Sequence, residues 1–172
     1  MTLIKEKVAQ AAGLLREFGL DCWITFTRES EMCGDPTLVF LAPGPVTWHS
    51  AFIVLADGRT RAIVGLYDQK GVEETGAYDR VVGYVTGIKE PLLEYLKELD
   101  PRTIAVNYSQ GSEICDGLTH GMYLTLHGFL TEAGLADRLV SAERIVSALR
   151  ERKSAAEVGW MRQAVRATEE IF

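Results

Sequence analysis

Three short polar stretches carry the residue types from which a site could be built. "TRES" (Thr27 to Ser30) supplies Arg28 with a neighbouring carboxylate, "TWHS" (Thr47 to Ser50) sets Trp48 beside His49, and "GLTHG" (Gly117 to Gly121) holds His120. A guanidinium takes carboxylates, an indole gives a flat apolar wall, and an imidazole donates or accepts a proton near neutral pH. Their ordinary alternative is structural: Arg28 and Glu29 solvated, Trp48 half-buried, the two histidines bonded to backbone. An aromatic next to an imidazole in a Pro-flanked loop is suited to contacting a ligand or a neighbouring chain.

Nothing else in the chain forms a catalytic pattern. There is no HExxH, no GxSxG, no Gly-Lys-Ser/Thr phosphate loop and no GxGxxG following a strand. Only three histidines are present, and His120 and His127, if both lie on one helix, stand two turns apart, about 10 Å by helical rise, too far to clamp one ion. No metal site is expected in this chain, and no catalytic residue is assigned to it. Cys22, Cys33 and Cys115 share no CxxC-type spacing, which predicts reduced, structural thiols.

Composition narrows the class. In 172 residues, 47% are apolar and 24% charged, as in a folded domain that needs no disulfide staples. Eighteen basic against 24 acidic residues leave a net charge of −6, and no Lys/Arg block is long enough to track phosphates, so nucleic acid is not an expected partner. The longest apolar runs are too short to span a bilayer, and "MTLIKEKVAQ" has charges where a signal peptide has its apolar core. A cytoplasmic protein without membrane contact is expected.

The elements that must position those stretches follow from periodicity. Ile4, Val8, Ala11, Ala12, Leu15 and Phe18 share one helical face that Gly19 ends. "DCWITFT" is a strand, the Gly- and Pro-punctuated segment to Trp48 is loop, and two β-rich runs flank Asp57-Gly58 as a hairpin. "QKGVEETGAY" predicts a short helix, "DRVVGYVT" a strand, and Glu90 to Leu99 a helix with Pro91 in its first turn and Asp100-Pro101 after it. "RTIAVNY" is a strand, "MYLTLHGFLTEAG" a helix stopping at Gly134, "DRLVSAE" a strand and "AERIVSALRER" a helix. Helix, strand, hairpin, then helices interleaved with strands predict an α/β sandwich with a mixed sheet. The last segment opens with a capping box, Ser154 and Glu157, and then shows a stripe of Val158, Met161, Val165, Thr168 and Phe172 running to its end with no stop signal.

That segment, "LRERKSAAEVGWMRQAV", resembles the hinge of the creatinase/prolidase/Xaa-Pro aminopeptidase family, most specifically at Leu149, Arg150, Lys153, Ser154 and Glu157. The preceding helix ending in "FGLDCWIT", the hairpin and the strand "TIAVNY" fit in order. The resemblance implies a three-layer α/β sandwich with a mixed sheet and a ribonuclease-H-like motif over residues 1–150. Residues 151–172 would then be the hinge and the first helix of a following pita-bread catalytic domain. In the family that second domain carries two divalent metal ions (Mn, Co or Zn) on two Asp, one His and two Glu, none of which lies in this chain. By this resemblance the chain is a non-catalytic N-terminal domain of a metal-dependent Xaa-Pro peptidase. Its partners would be its own catalytic domain, further copies in a homo-oligomer, and a peptide substrate in the full-length protein. Arg28, Trp48, His49 and His120 become candidates for substrate or subunit contact. Two alternatives stay open: a peptide- or protein-binding module from a catalytically degenerate relative, and the N-domain of a creatinase-like amidinohydrolase.

Overall fold

The computed structural model describes residues 2–32 and 34–171; Cys33 and Phe172 of the readings above lie outside the described residues. The chain runs α1 (Leu3–Phe18), β1 (Cys22–Thr27), β2 (Ser50–Leu55), β3 (Thr60–Gly65), α2 (Leu66–Glu74), β4 (Arg80–Tyr84), α3 (Lys89–Leu99), β5 (Ile104–Val106), α4 (His120–Glu132), β6 (Leu139–Ser141), α5 (Glu143–Glu151) and α6 (Ala155–Ile171).

The six strands form one sheet in the order β4-β3-β2-β1-β5-β6. β2 pairs antiparallel with both β1 and β3, and the β3–β4, β1–β5 and β5–β6 pairs are parallel. Five strands therefore point one way and β2 runs against them, which makes the sheet mixed, as the alternation of elements predicts. Because successive strand residues point to opposite faces, β1 sends Trp23 to one side and Cys22, Ile24 and Phe26 to the other. Trp23, Phe52, Val54, Ala62, Val64 and Ala105 pack under α1, α2 and α5. Ile24, Phe26, Ile53, Ile63, Ile104 and Val106 pack under α3 and α4. The result is a three-layer α/β/α sandwich with two cores separated by the sheet.

Local signals account for most boundaries. The Thr2 hydroxyl caps α1 by accepting from the Lys5 amide, and Gly19, at φ 69°, closes it in a left-handed turn while the Leu20 amide reaches back to the Leu15 carbonyl. The β2–β3 hairpin differs from the tight two-residue turn that Asp-Gly suggests. Its loop is Ala56-Asp57-Gly58, with only Gly58 at positive φ and the Leu55 amide donating to the Arg59 carbonyl, a type I turn followed by a glycine bulge. β3 passes straight into α2 at Leu66, so that helix starts three residues before the expected point. Thr119 caps α4 by accepting from the Met122 amide, bringing His120 inside the helix as its first residue.

The capping box forms as read. The Ser154 amide donates to Glu157 Oε2 at 2.7 Å and the Glu157 amide to Ser154 Oγ at 3.3 Å. No residue of α6 is buried, and Trp160, Met161 and Val165 are all more than half exposed. No helix among the described residues is long and apolar enough to cross a membrane. Cys22 and Cys115 are buried free thiols, and burial pushes the Cys22 thiol far up.

Candidate functional site

The carboxyl ends of the five parallel strands lie at one edge of the sheet, together with the start of β2, and this is the edge where loops in open α/β sheets gather ligands. A cleft of about 690 Å³ opens there. It is lined by Arg28 and Glu29 after β1, Thr47 to His49 before β2, Tyr84 to Lys89 between β4 and α3, and Phe129 of α4. Arg28, Trp48 and His49 thus meet in one cleft because Thr27 and Ser50 are cross-strand partners in the β1–β2 ladder.

That ladder continues into the loop, where the Glu29 amide donates to the Thr47 carbonyl and the Ser30 amide to the Val46 carbonyl. Glu29 adopts φ 44°, a left-handed conformation that costs a non-glycine residue about 1 kcal/mol. Trp48 packs its indole against the backbone of Gly65: a Cβ added there would sit 3.0–3.2 Å from Trp48 ring and Cβ atoms. Tyr67 meets the indole edge-on at 5.8 Å, and Tyr84 lies tilted at 5.7 Å. The Tyr84 hydroxyl donates to the His49 carbonyl at 2.8 Å. Trp48 is thus held by Gly65, Tyr67 and Tyr84, and the rest of this half-buried side chain lines the cleft.

His49 is half-buried beside Phe26, ring centroids 5.9 Å apart. Burial first, and then the positive charge of Arg28, push its pKa below the ordinary histidine value, so at neutral pH it is an uncharged imidazole able to accept as well as donate. Arg28 is exposed and joins none of the ion pairs among the described residues. Lys89, the other cation of the cleft, is held by Glu132 at 2.6 Å. The arrangement is an aromatic wall, a neutral imidazole, and a cation and a carboxylate side by side at Arg28 and Glu29. It has no nucleophile paired with a base.

His120 is not brought to this cleft. It is exposed on a separate depression of about 340 Å³ with Tyr108, Asp116, Leu118 and Tyr123. His127 sits on the same helix, tilted against Tyr123 at 5.7 Å. Among the described residues no group of three or more His, Cys, Asp or Glu is placed to hold a metal ion.

Two features escaped the sequence reading. One is the Tyr84–Lys89 wall, whose only signal was its position after a parallel strand. The other lies beneath the loop that carries Arg28. Asp35, 3% exposed, accepts from the Thr37 amide at 2.8 Å and hydroxyl at 2.6 Å through Oδ1, and from Asn107 Nδ2 at 2.9 Å through Oδ2. Asn107 also donates to Thr25 Oγ1, and its own Oδ1 accepts from the Trp23 indole at 2.7 Å. Gly117 closes over the carboxylate: a Cβ there would fall 2.2 Å from Asp35 Oδ2. This network ties the loop to β1 and to the segment after β5. Its sequence signal was the Asp-Pro-Thr of "CGDPTLVF", a turn in which an aspartate bonds the backbone two residues on.

No family model matches the chain, and no curated protein matches its sequence. Solved structures do match. A proline dipeptidase from Streptococcus pneumoniae superposes with TM-score 0.61 at 19% identity, over 86% of this chain and 99% of that one. An X-Pro aminopeptidase from Thermotoga maritima gives 0.63 at 14%, over 88% of this chain and 38% of that one. The N-terminal domain of the cytoplasmic peptidase PepQ from Mycobacterium tuberculosis gives 0.55 at 15%, over 83% and 97%. The chain spans nearly all of the first and third structures and less than half of the second. Its mixed-sheet α/β fold is that of the N-terminal domains of prolidases and X-Pro aminopeptidases.

Proposed function

We propose that this chain is the non-catalytic N-terminal domain of a metal-dependent Xaa-Pro peptidase, with residues 1–150 as the domain proper and 151–172 as hinge and first helix of the catalytic domain. The observation that carries the reading is the likeness in fold to a proline dipeptidase structure over 99% of that chain, joined to the hinge-like residues Leu149, Arg150, Lys153, Ser154 and Glu157. Alone, the domain hydrolyses nothing. Its work is to pack on the catalytic domain, narrow the substrate entrance, and, in a homo-oligomer, lend the cleft loops to a neighbouring subunit's active site.

In that role Trp48 offers its indole face to the flat ring of a proline, Arg28 offers a cation to a peptide carboxylate, and the neutral His49 bonds a peptide amide or carbonyl. His120, outside the cleft, is the weaker candidate. The two divalent ions (Mn, Co or Zn) belong to the catalytic domain, where they would supply an activated water. The described residues of this chain contain no set that fits them.

The test is a paired assay of N-terminal residue release from an X-Pro peptide with manganese or cobalt added. The 172-residue chain is expected to be inactive, and a protein carrying the domain C-terminal to it active. In the active form Trp48→Ala is expected to lower kcat/KM by about tenfold, the cost of losing one good aromatic contact, with His49→Ala and Arg28→Ala smaller. Activity in the short chain would overturn the division of labour. Inactivity in both forms would turn the reading toward a creatine-type substrate or a peptide-binding module.

A further inference from the structure

The sequence between α5 and α6 has no rigid turn: Arg152, Lys153 and Ser154 connect two helices with an extended Arg152. By composition this joint should swivel. Yet α1 grips it with one fully buried cation. Lys7 is 0% exposed, and its ammonium donates to the Leu149 carbonyl at 2.8 Å and the Arg152 carbonyl at 3.1 Å. It also pairs with Glu157 Oε2 at 2.7 Å, the same oxygen that accepts the Ser154 amide in the capping box. An ammonium has three protons, and here one goes to the end of α5, one to the linker and one to the first turn of α6. The Phe40 ring lies 5.1 Å from the same nitrogen.

Neighbouring contacts fasten only the linker. Gln10 Nε2 donates to the Arg152 carbonyl at 3.0 Å, and the Arg152 guanidinium forks onto Glu17 at 2.6 and 2.8 Å. These hold residue 152 against α1 but do not touch α6. Lys153 donates to the Arg150 carbonyl and reaches neither α1 nor α6. Among the polar contacts of the described residues, the one that ties α6 to α1 is therefore the Lys7–Glu157 pair.

We infer that Lys7 is a positioning residue for α6: its three-way contact to Leu149, Arg152 and Glu157 locks the angle at which α6, with its exposed Trp160, Met161 and Val165, leaves the domain. None of these contacts depends on what the domain is joined to, so the lock stands or falls apart from the peptidase reading.

The measurement is the distance distribution between spin labels on cysteines introduced at the exposed positions Glu94 of α3 and Arg166 of α6, in the 172-residue chain with Cys33→Ser. Cys22 and Cys115 are buried beyond the reagent. The unaltered joint is expected to give one narrow distribution. Lys7→Met and Glu157→Leu are each expected to widen it at least about twofold, as a segment released from its contacts samples more orientations, while the domain in Glu157→Leu, where Lys7 keeps its two carbonyl acceptors, melts lower than the parent but stays folded by circular dichroism. Ser154→Ala removes the capping hydroxyl but leaves Lys7 and Glu157 paired, and Lys153→Met removes a cation outside the lock; both are expected to keep the narrow width. Should Lys7→Met fail to fold by circular dichroism, Glu157→Leu decides. The lock is overturned if Glu157→Leu keeps the narrow width, if Ser154→Ala widens it equally, or if the unaltered joint is already broad.

Discussion

Two carboxylates in this domain are held by the fold in opposite ways. Glu157, at the joint, meets a buried ammonium. Burial by itself would raise its carboxyl, but the bonds from Lys7 and from the Ser154 amide outweigh it and hold the group below the ordinary glutamate value. Asp35, under the loop, meets only neutral donors. Burial again comes first, and here the bonds from Thr37 and Asn107 do not offset it, so its carboxyl stands above the ordinary aspartate value. Two differences separate them: Asp35 is only 3% exposed against 17% for the Glu157 side chain, and only Glu157 has a formal positive charge beside it. The joint is built to keep its carboxylate ionised, whereas the loop anchor is built to tolerate a proton.

The comparison breaks most sharply at Lys7. Three acceptors, Glu157 and the Leu149 and Arg152 carbonyls, lose a charged donor at about 1 to 1.5 kcal/mol apiece, so Lys7→Met is expected to cost about 3 to 5 kcal/mol in urea unfolding. A loss near zero would mean that the ammonium is not desolvated as its burial indicates. The loop anchor breaks next, through Gly117. Its missing Cβ leaves the space that Asp35 fills, so Gly117→Ala must push the carboxylate or the loop aside at a cost of about 1 to 3 kcal/mol. Gly111, where a Cβ would meet nothing within 4 Å, is the control, and Gly111→Ala is expected to be silent. Equal losses at both glycines would show that the close approach at Asp35 does not matter.

How much of this was legible follows from the range of each interaction. The strands, the mixed sheet and most of the helices were readable because Leu15 to Leu20, Ser154 to Glu157 and the runs around Gly58 act over a few residues. The pairing of Thr27 with Ser50 was not, since 22 intervening residues of loop say nothing about where they close; it is what puts Arg28 beside His49 in the cleft while His120 stays apart. Lys7 stood in the first helix as one lysine in an otherwise regular amphipathic pattern, and its partners are 142 and 145 residues away. Buried polar contacts of that span leave no periodicity, so the two clusters that fasten the joint and the loop could only be found in three dimensions.

The smallest expected effect is also the one that sharpens the contrast, because it has opposite signs at the two sites. Glu157, lowered in the folded state, contributes stability that is fully present above its ordinary value of 4.5 and is lost as pH falls through the folded value. Asp35, raised in the folded state, binds its proton more tightly when folded. Its contribution is greatest below its ordinary value of 3.8 and declines as pH rises toward the folded value. Urea unfolding of the parent, Glu157→Gln and Asp35→Asn from pH 3 to 7 separates the two. The deficit of Glu157→Gln relative to the parent should grow on going from acid to neutral, and that of Asp35→Asn should shrink over the same range. Parallel curves would mean that the fold does not shift the two carboxylates in opposite directions, and the distinction between joint and anchor would fall.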